Sequence, residues 1–198
     1  MSPMDRISKI CRKTTETEVS LEINLDGSGK ADIVTTVPFL DHMFHLFAKH
    51  GFFDLCMQSQ GDTSVDDHHL VEDLGICLGA AVKQALGGKE GIARYGQSLV
   101  PMDEALCGVS MDISGRPYLI YNAALGEAKI GAFDPALIKE FFKSFSDHSG
   151  ITLHINVFYG RNNHHMAEAI FKAFARALHK AVTLHGRIEG VLSTKGSL

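Results

Sequence analysis

Residues 41–55, DHMFHLFAKHGFFDL, lie without gaps on residues 139–153, KEFFKSFSDHSGITL, and HHLVED (68–73) lies on HHMAEA (164–169). The first overlay is offset by 98 positions and the second by 96, so the second copy is shorter in the loop between them. His50 then falls on His148, Leu55 on Leu153 and His42 on Glu140. A chain that repeats itself over such a distance is built from two like halves.

Working outward, each half shows the same order of elements. TEVSLEINLDGSG (17–29) alternates Val19, Leu21, Ile23 and Leu25 with polar neighbours, which predicts a half-buried strand ending in a Gly-rich turn. Residues 30–37 are its expected hairpin partner. Pro38 and Asp41 open a helix carrying Met43, Phe44, Phe47 and Ala48, then come a strand over 54–62 and a helix over 66–86. The second half repeats this with a hairpin of 105–114 and 117–123, a helix from Pro135, a strand over 151–160 and a helix over about 163–183. The expected fold is α+β: two pseudo-repeated ββαβα halves, each a four-stranded sheet covered by two helices. The expected divisions are 1–92, 93–188 and a tail over 189–198. One face of each sheet is left for the opposite half or another subunit, so association is expected.

Composition narrows the function. The 198 residues carry 19 Lys and Arg against 23 Asp and Glu, a net charge of -4. No basic run is present, which argues against a nucleic-acid partner. The amino terminus lacks a signal-peptide apolar run, and LGICLGAAVKQAL (74–86) falls short of the roughly 20 residues of a membrane span, so a cytoplasmic protein without a membrane partner is expected. The four cysteines form no CxxC pair. Any metal must therefore be held by imidazole and carboxylate, and the 11 histidines are crowded into a few segments.

Two of those segments read HHxxE: His68, His69 and Glu72, then His164, His165 and Glu168. On a helix, His and Glu three or four positions apart share a face, while adjacent histidines diverge by about 100°. One turn can thus address two metal ions. Asp66 and Asp67 precede the first copy and Asn162 and Asn163 the second, so both motifs open a helix, where a glutamate compensates a cation facing the dipole. A single such pair reads equally well as a cap or a surface feature. Recurrence at equivalent positions, with His42, His45 and His50 nearby, favours metal. His45, His154, His179 and His185 lack a counterpart in the other half.

FLDHMFHLFAKHG, DDHHLVEDLG, RYG, PMDEAL, DISGRPYL, NNHHMAEAIFKAFARAL and the terminal STKG, in that order from about Arg12 to Gly196, resemble the imidazoleglycerol-phosphate dehydratase family in its single-function form. The resemblance implies a cofactor of two Mn2+ per active site. Their ligands would be His42, His68, His69, Glu72, His164, His165 and Glu168, with Glu140 at a position often occupied by His. Carboxylate and imidazole together suit Mn2+, and four protein ligands per octahedral ion leave two positions for substrate. The implied partners are a small phosphate substrate and further copies of the chain, in an assembly of twenty-four built from trimers with ligands meeting across subunits. The implied reaction is dehydration of imidazole glycerol phosphate to imidazole acetol phosphate in histidine biosynthesis. The substrate's ring, acidified by metal to an imidazolate, would expel hydroxyl through a diazafulvene-like intermediate.

By the same resemblance Glu16 is the candidate for proton transfer, with Glu72 and Glu168 also catalytic, while His42, His50 and His164 contact substrate. Arg94, Arg116, Lys172, Ser193, Thr194 and Lys195 would bind it too, chiefly through phosphate. Lys172 shares a helix face with Glu168, and the tail is expected to close over the phosphate. Two other readings remain: a two-metal hydrolase, and a non-catalytic metal-storage or sensing assembly. Neither requires the separate phosphate-binding set.

Overall fold

Alternation shapes β2 (Thr17–Asn24), which buries Val19, Leu21 and Ile23 and exposes Glu18 and Glu22. In the computed structural model, which describes residues 6–198, β2 lies in a four-stranded sheet with β1 (Ile7–Lys13), β3 (Ala31–Val34) and β4 (Asp54–Gly61), ordered β1-β2-β4-β3. The second sheet repeats this with β5 (Tyr95–Met102), β6 (Ala105–Asp112), β7 (Tyr118–Asn122) and β8 (Thr152–Tyr159), ordered β5-β6-β8-β7. Helices α1 (Pro38–Gly51) and α2 (His68–Leu86) belong to the first half, α3 (Leu137–Ser149) and α4 (Asn163–Val182) to the second. The protein is α+β and made of two pseudo-repeated halves, as the repeat predicts.

The structure adds to the expected order and corrects one pairing. Each half begins with a further strand, β1 or β5, giving βββαβα rather than ββαβα. These are edge strands whose residues alternate between exposed and, for the most part, only partly buried, and in β1 the inward positions are Ser8, Ile10 and Arg12, so their apolar alternation is weak. The segments expected to be the hairpin partners of β2 and β6 are β3 and β7, and neither pairs there: both run parallel to the strand that follows the next helix. That strand, β4 or β8, lies between them and β2 or β6, and is antiparallel to the latter. A strand, a crossover helix and a parallel strand form a βαβ unit.

The helices pack across the halves. α1 lies against α4 and α2 against α3, so the order is sheet, helices, helices, sheet around one continuous core. Aromatic side chains stitch its middle: Phe44 of α1 meets Phe141 of α3 at 5.4 Å and Phe171 of α4 at 6.2 Å between ring centroids. Where α2 meets α3, a Cβ added to Gly79 would lie 2.6 Å from the Phe145 carbonyl oxygen, so the contact is backbone on backbone. The outer sheet faces leave Leu99 and Phe158 more than 60% exposed. No helix among the described residues is long and apolar enough to cross a membrane.

Candidate metal centre and substrate site

Both HHxxE motifs open helices. α4 begins with Asn162, whose side-chain oxygen accepts from the backbone N–H of His164 at 2.9 Å and of His165 at 3.4 Å. At α2 the preceding Asp67 makes no such cap, and Asp66 instead accepts from the His68 N–H at 2.8 Å. The neighbouring rings stand apart with centroids 6.2 Å between His68 and His69 and 6.4 Å between His164 and His165, their planes nearly perpendicular at 83° and 88°.

Packing of α1 on α4 brings His42 to the second motif. Glu168 Oε1 accepts from His42 Nε2 at 2.9 Å and from His164 Nε2 at 3.1 Å, and Oε2 accepts from Lys172 Nζ at 2.6 Å. Burial opposes the charge on Glu168, but the hydrogen bonds from Lys172, His42 and His164 outweigh it and bring the carboxyl to about 2. Ligand atoms of His42, His164 and Glu168 lie within 4.8 Å of one another, and two imidazoles with a carboxylate fit a divalent ion such as Mn2+. A groove of about 620 Å3 opens beside them, lined by Phe39, His42, Asp67, Phe133 and His164 among others.

A second cluster joins His69, Glu16 and Asp62. His69 Nδ1 lies 3.1 Å from Asp62 and 3.7 Å from Glu16, and the Asp62 hydrogen bond raises the imidazole pKa. The corresponding His165 Nδ1 sits 2.7 Å from Glu104, which likewise raises its pKa. His68, Glu72 and Glu140 join neither cluster: Glu72 is exposed, and Glu140 is half-buried in the first turn of α3. His50, near the end of α1, has its pKa lowered by burial and by the charges of Lys172 and Arg176.

The remaining cations lie elsewhere. Arg94, at a positive φ of 68°, pairs with Asp112 at 2.7 Å and donates to the Leu192 carbonyl at 2.7 Å, which ties the tail to it. Arg116 is exposed, 3.8 Å from Asp112, and in the tail the Ser193 hydroxyl accepts from the Lys195 N–H at 3.2 Å, with Thr194 exposed between them. The Arg94 N–H bonds to Ala181 at the far end of α4. At 1.5 Å per residue that is about 25 Å along the helix from His164. One small substrate cannot touch both places in one chain.

Asp62, Glu104 and the buried Asp73 are contacts without an assigned role in the sequence. Asp73 is held by Arg12 at 2.8 Å and by the hydroxyl of Thr17, beside the turn that carries Glu16. A signal for Glu104 was present: it immediately precedes β6, as Glu16 immediately precedes β2.

Fold and site define a class, a duplicated α+β enzyme with histidine and carboxylate groups able to hold metal at helix ends. A family model described as imidazoleglycerol-phosphate dehydratase matches residues 35–178. The imidazoleglycerol-phosphate dehydratase of Syntrophus aciditrophicus is 61% identical over 194 residues, covering 98% of each chain. That of Acetivibrio thermocellus is 56% identical over 195 residues, 98% of this chain and all of the relative. The Staphylococcus aureus structure superposes with a TM-score of 0.82 at 41% identity, covering 90% of this chain and 99% of that one. The Pyrococcus furiosus structure gives 0.83 at 38% identity, over 96% and 100%. The chain belongs to the imidazoleglycerol-phosphate dehydratase family, hydro-lyases of histidine biosynthesis.

Proposed function

We propose that the protein dehydrates imidazole glycerol phosphate to imidazole acetol phosphate using two Mn2+ per active site, at sites completed by neighbouring copies of the chain. The observation that carries this reading is the convergence of His42, His164 and Glu168 into one ligand group. His68, His69, Glu72, Glu140 and His165 are the other proposed ligands. When bound, the metal supplies acidification of the substrate's imidazole, the electron sink that a substrate without a carbonyl lacks.

The chain's own groups do the rest. Glu168 holds His42 and His164 in place, and Lys172 compensates its charge. Glu16, exposed on the β1–β2 turn and hydrogen-bonded through neither of its carboxylate oxygens among the described residues, is free to move a proton between substrate carbon or oxygen and solvent. His50, beside Lys172 and Arg176, faces the substrate's polar chain. Arg94, Arg116, Ser193, Thr194 and Lys195 receive the phosphate, Arg94 being held ready by Asp112. Their distance along α4 from His164 supports a shared site, in which one subunit brings the phosphate pocket to another's metal group. The assembly is proposed to be the 24-mer of the family. The free cysteines at 11, 56, 77 and 107 agree with a cytoplasmic location.

The test is direct. Mn2+-loaded protein incubated with imidazole glycerol phosphate yields an enolisable ketone, and chelation stops turnover until Mn2+ is returned. Phosphate release without ketone would instead identify the hydrolase, and metal uptake without any turnover the storage assembly.

A further inference from the structure

Metal-binding imidazoles depend on what the other ring nitrogen does: a carboxylate at Nδ1 fixes the tautomer and leaves Nε2 bare for the ion. Each HHxxE motif has such a carboxylate against its second histidine, and the two come from different places in the fold. At His165 it is Glu104, from the β5–β6 turn, with Oε2 at 2.7 Å from Nδ1. At His69 it is Asp62, from the end of β4, with its two oxygens at 3.1 and 3.3 Å. A carboxylate only accepts, so in both rings Nδ1 carries the proton. Nε2 of His69 and of His165 has no hydrogen-bond partner among the described residues; an Asp103 carboxylate oxygen lies 3.8 Å from the latter.

The exchange of partners has a consequence for Glu16. Glu16 and Glu104 occupy the same place, the last turn residue before β2 and before β6. Glu104 is fully engaged, since its other oxygen accepts from the N–H groups of Arg161 at 3.1 Å and Asn162 at 2.8 Å. Glu16 stands off at 3.7 Å from His69 because Asp62 is nearer. The β1–β2 turn and Asp62 are tied by the Asp62 N–H donating to the Glu16 carbonyl at 3.0 Å.

We propose that Glu104 and Asp62 are positioning residues that fix His165 and His69 with Nε2 bare for metal, and that Asp62, by taking this task in the first half, leaves Glu16 free for proton transfer. The duplicated halves have in this way divided two tasks between equivalent glutamates. The inference rests on the ligand and proton-transfer assignments proposed above.

Glu104→Gln separates positioning from structure. The amide oxygen keeps the Arg161 and Asn162 bonds, while the NH2 group is turned to His165 Nδ1, which must then accept and so places the proton on Nε2. The readout is Co2+ affinity of the metal-free full chain, followed by visible absorption, with thermal melting as a fold control. Glu104→Gln should melt like the parent and bind one class of Co2+ about 10–100-fold more weakly. Asp62→Asn should lose less affinity, because Glu16 can move in to His69, but turnover at saturating Mn2+ should fall about tenfold as that carboxylate is captured. Adding Glu16→Gln to Asp62→Asn should then cost further metal affinity, although Glu16→Gln alone costs none.

His165→Ala is the control for the ligand assignment. If it abolishes one class of Co2+ site while Glu104→Gln and Asp62→Asn bind as the parent does, the positioning proposal is wrong and the ligand assignment stands. If His165→Ala also binds like the parent, both fall together.

Discussion

The helix ends at His68 and at His164 carry the same motif in different company. At α4, Asn162 caps the helix and Glu168 is buried among His42, His164 and Lys172. At α2 the glutamate Glu72 is exposed, and it is the next residue, Asp73, that is buried and bonded to Arg12 and Thr17. The overlay that aligns the motifs sets Lys172 opposite Ile76 and Asp73 opposite Ala169, and Ala105 takes the place of Thr17 at the start of its strand. Duplication therefore placed the histidines, while unpaired substitutions around them decided which carboxylate is closed into a cluster within the chain.

The sharpest way to break this comparison is to neutralise each glutamate in turn. Glu168→Gln should lower turnover by at least about 100-fold, since an outer-shell loss alone reaches that size. It should also destabilise the metal-free protein by about 2 kcal/mol by stranding Lys172 in a mostly buried position. Glu72→Gln should leave thermal unfolding unchanged. Equal losses in melting temperature would erase the distinction.

The helix contacts offer a second contrast. Gly79 of α2 is replaced by Ala175 at the equivalent place in α4. Gly79→Ala should cost about 1–3 kcal/mol, because its Cβ meets the Phe145 carbonyl and must force α2 from α3. Ala175→Gly should cost about 1 kcal/mol, the helix-propensity difference with a small cavity. Denaturant titration of the two variants checks the order.

Acid titration gives a smaller effect. The Glu168 carboxyl lies at about 2 against an ordinary 4.5, so its contribution to stability is complete above 4.5 and is lost as the pH falls through 2. The stability difference between the metal-free parent and Glu168→Gln should shrink over that interval, and a constant difference would contradict the assigned contacts. The least perturbing test uses the thiols. Burial pushes Cys77 and Cys107 up to about 12, so iodoacetamide at neutral pH should label the exposed Cys11 and Cys56 and spare these two in the folded protein, with no change in structure.

Much of this was legible because its signals are local. Pro38 at a helix start, the alternation of Val19, Leu21 and Ile23, and the HHxxE spacing each act within one element. Strand partners are not local. Nothing between residues 25 and 30 announces that β4 will return from beyond α1 to lie between β2 and β3. β1 carries little signal because an edge strand with Lys9, Arg12 and Lys13 need hide little from water. At the site, the motif histidines and Glu168 were readable from spacing. Glu104 could be matched to Glu16 by its place before β6, but its partner could not, and Asp62 carried no signal, because a carboxylate's partner is settled by which loops the sheets bring together.

The cross-half pairing of helices also bears on how the chain comes apart. Phe44 and Phe47 of the first half rest on Phe141, Phe171 and Phe174 of the second, so neither half can open without exposing the other's aromatic rings. Heat or denaturant meets a single cooperative unit, and a polypeptide cut in the link between α2 and β5 would have to find its missing half, or a second copy of itself, before either sheet had a floor to fold upon.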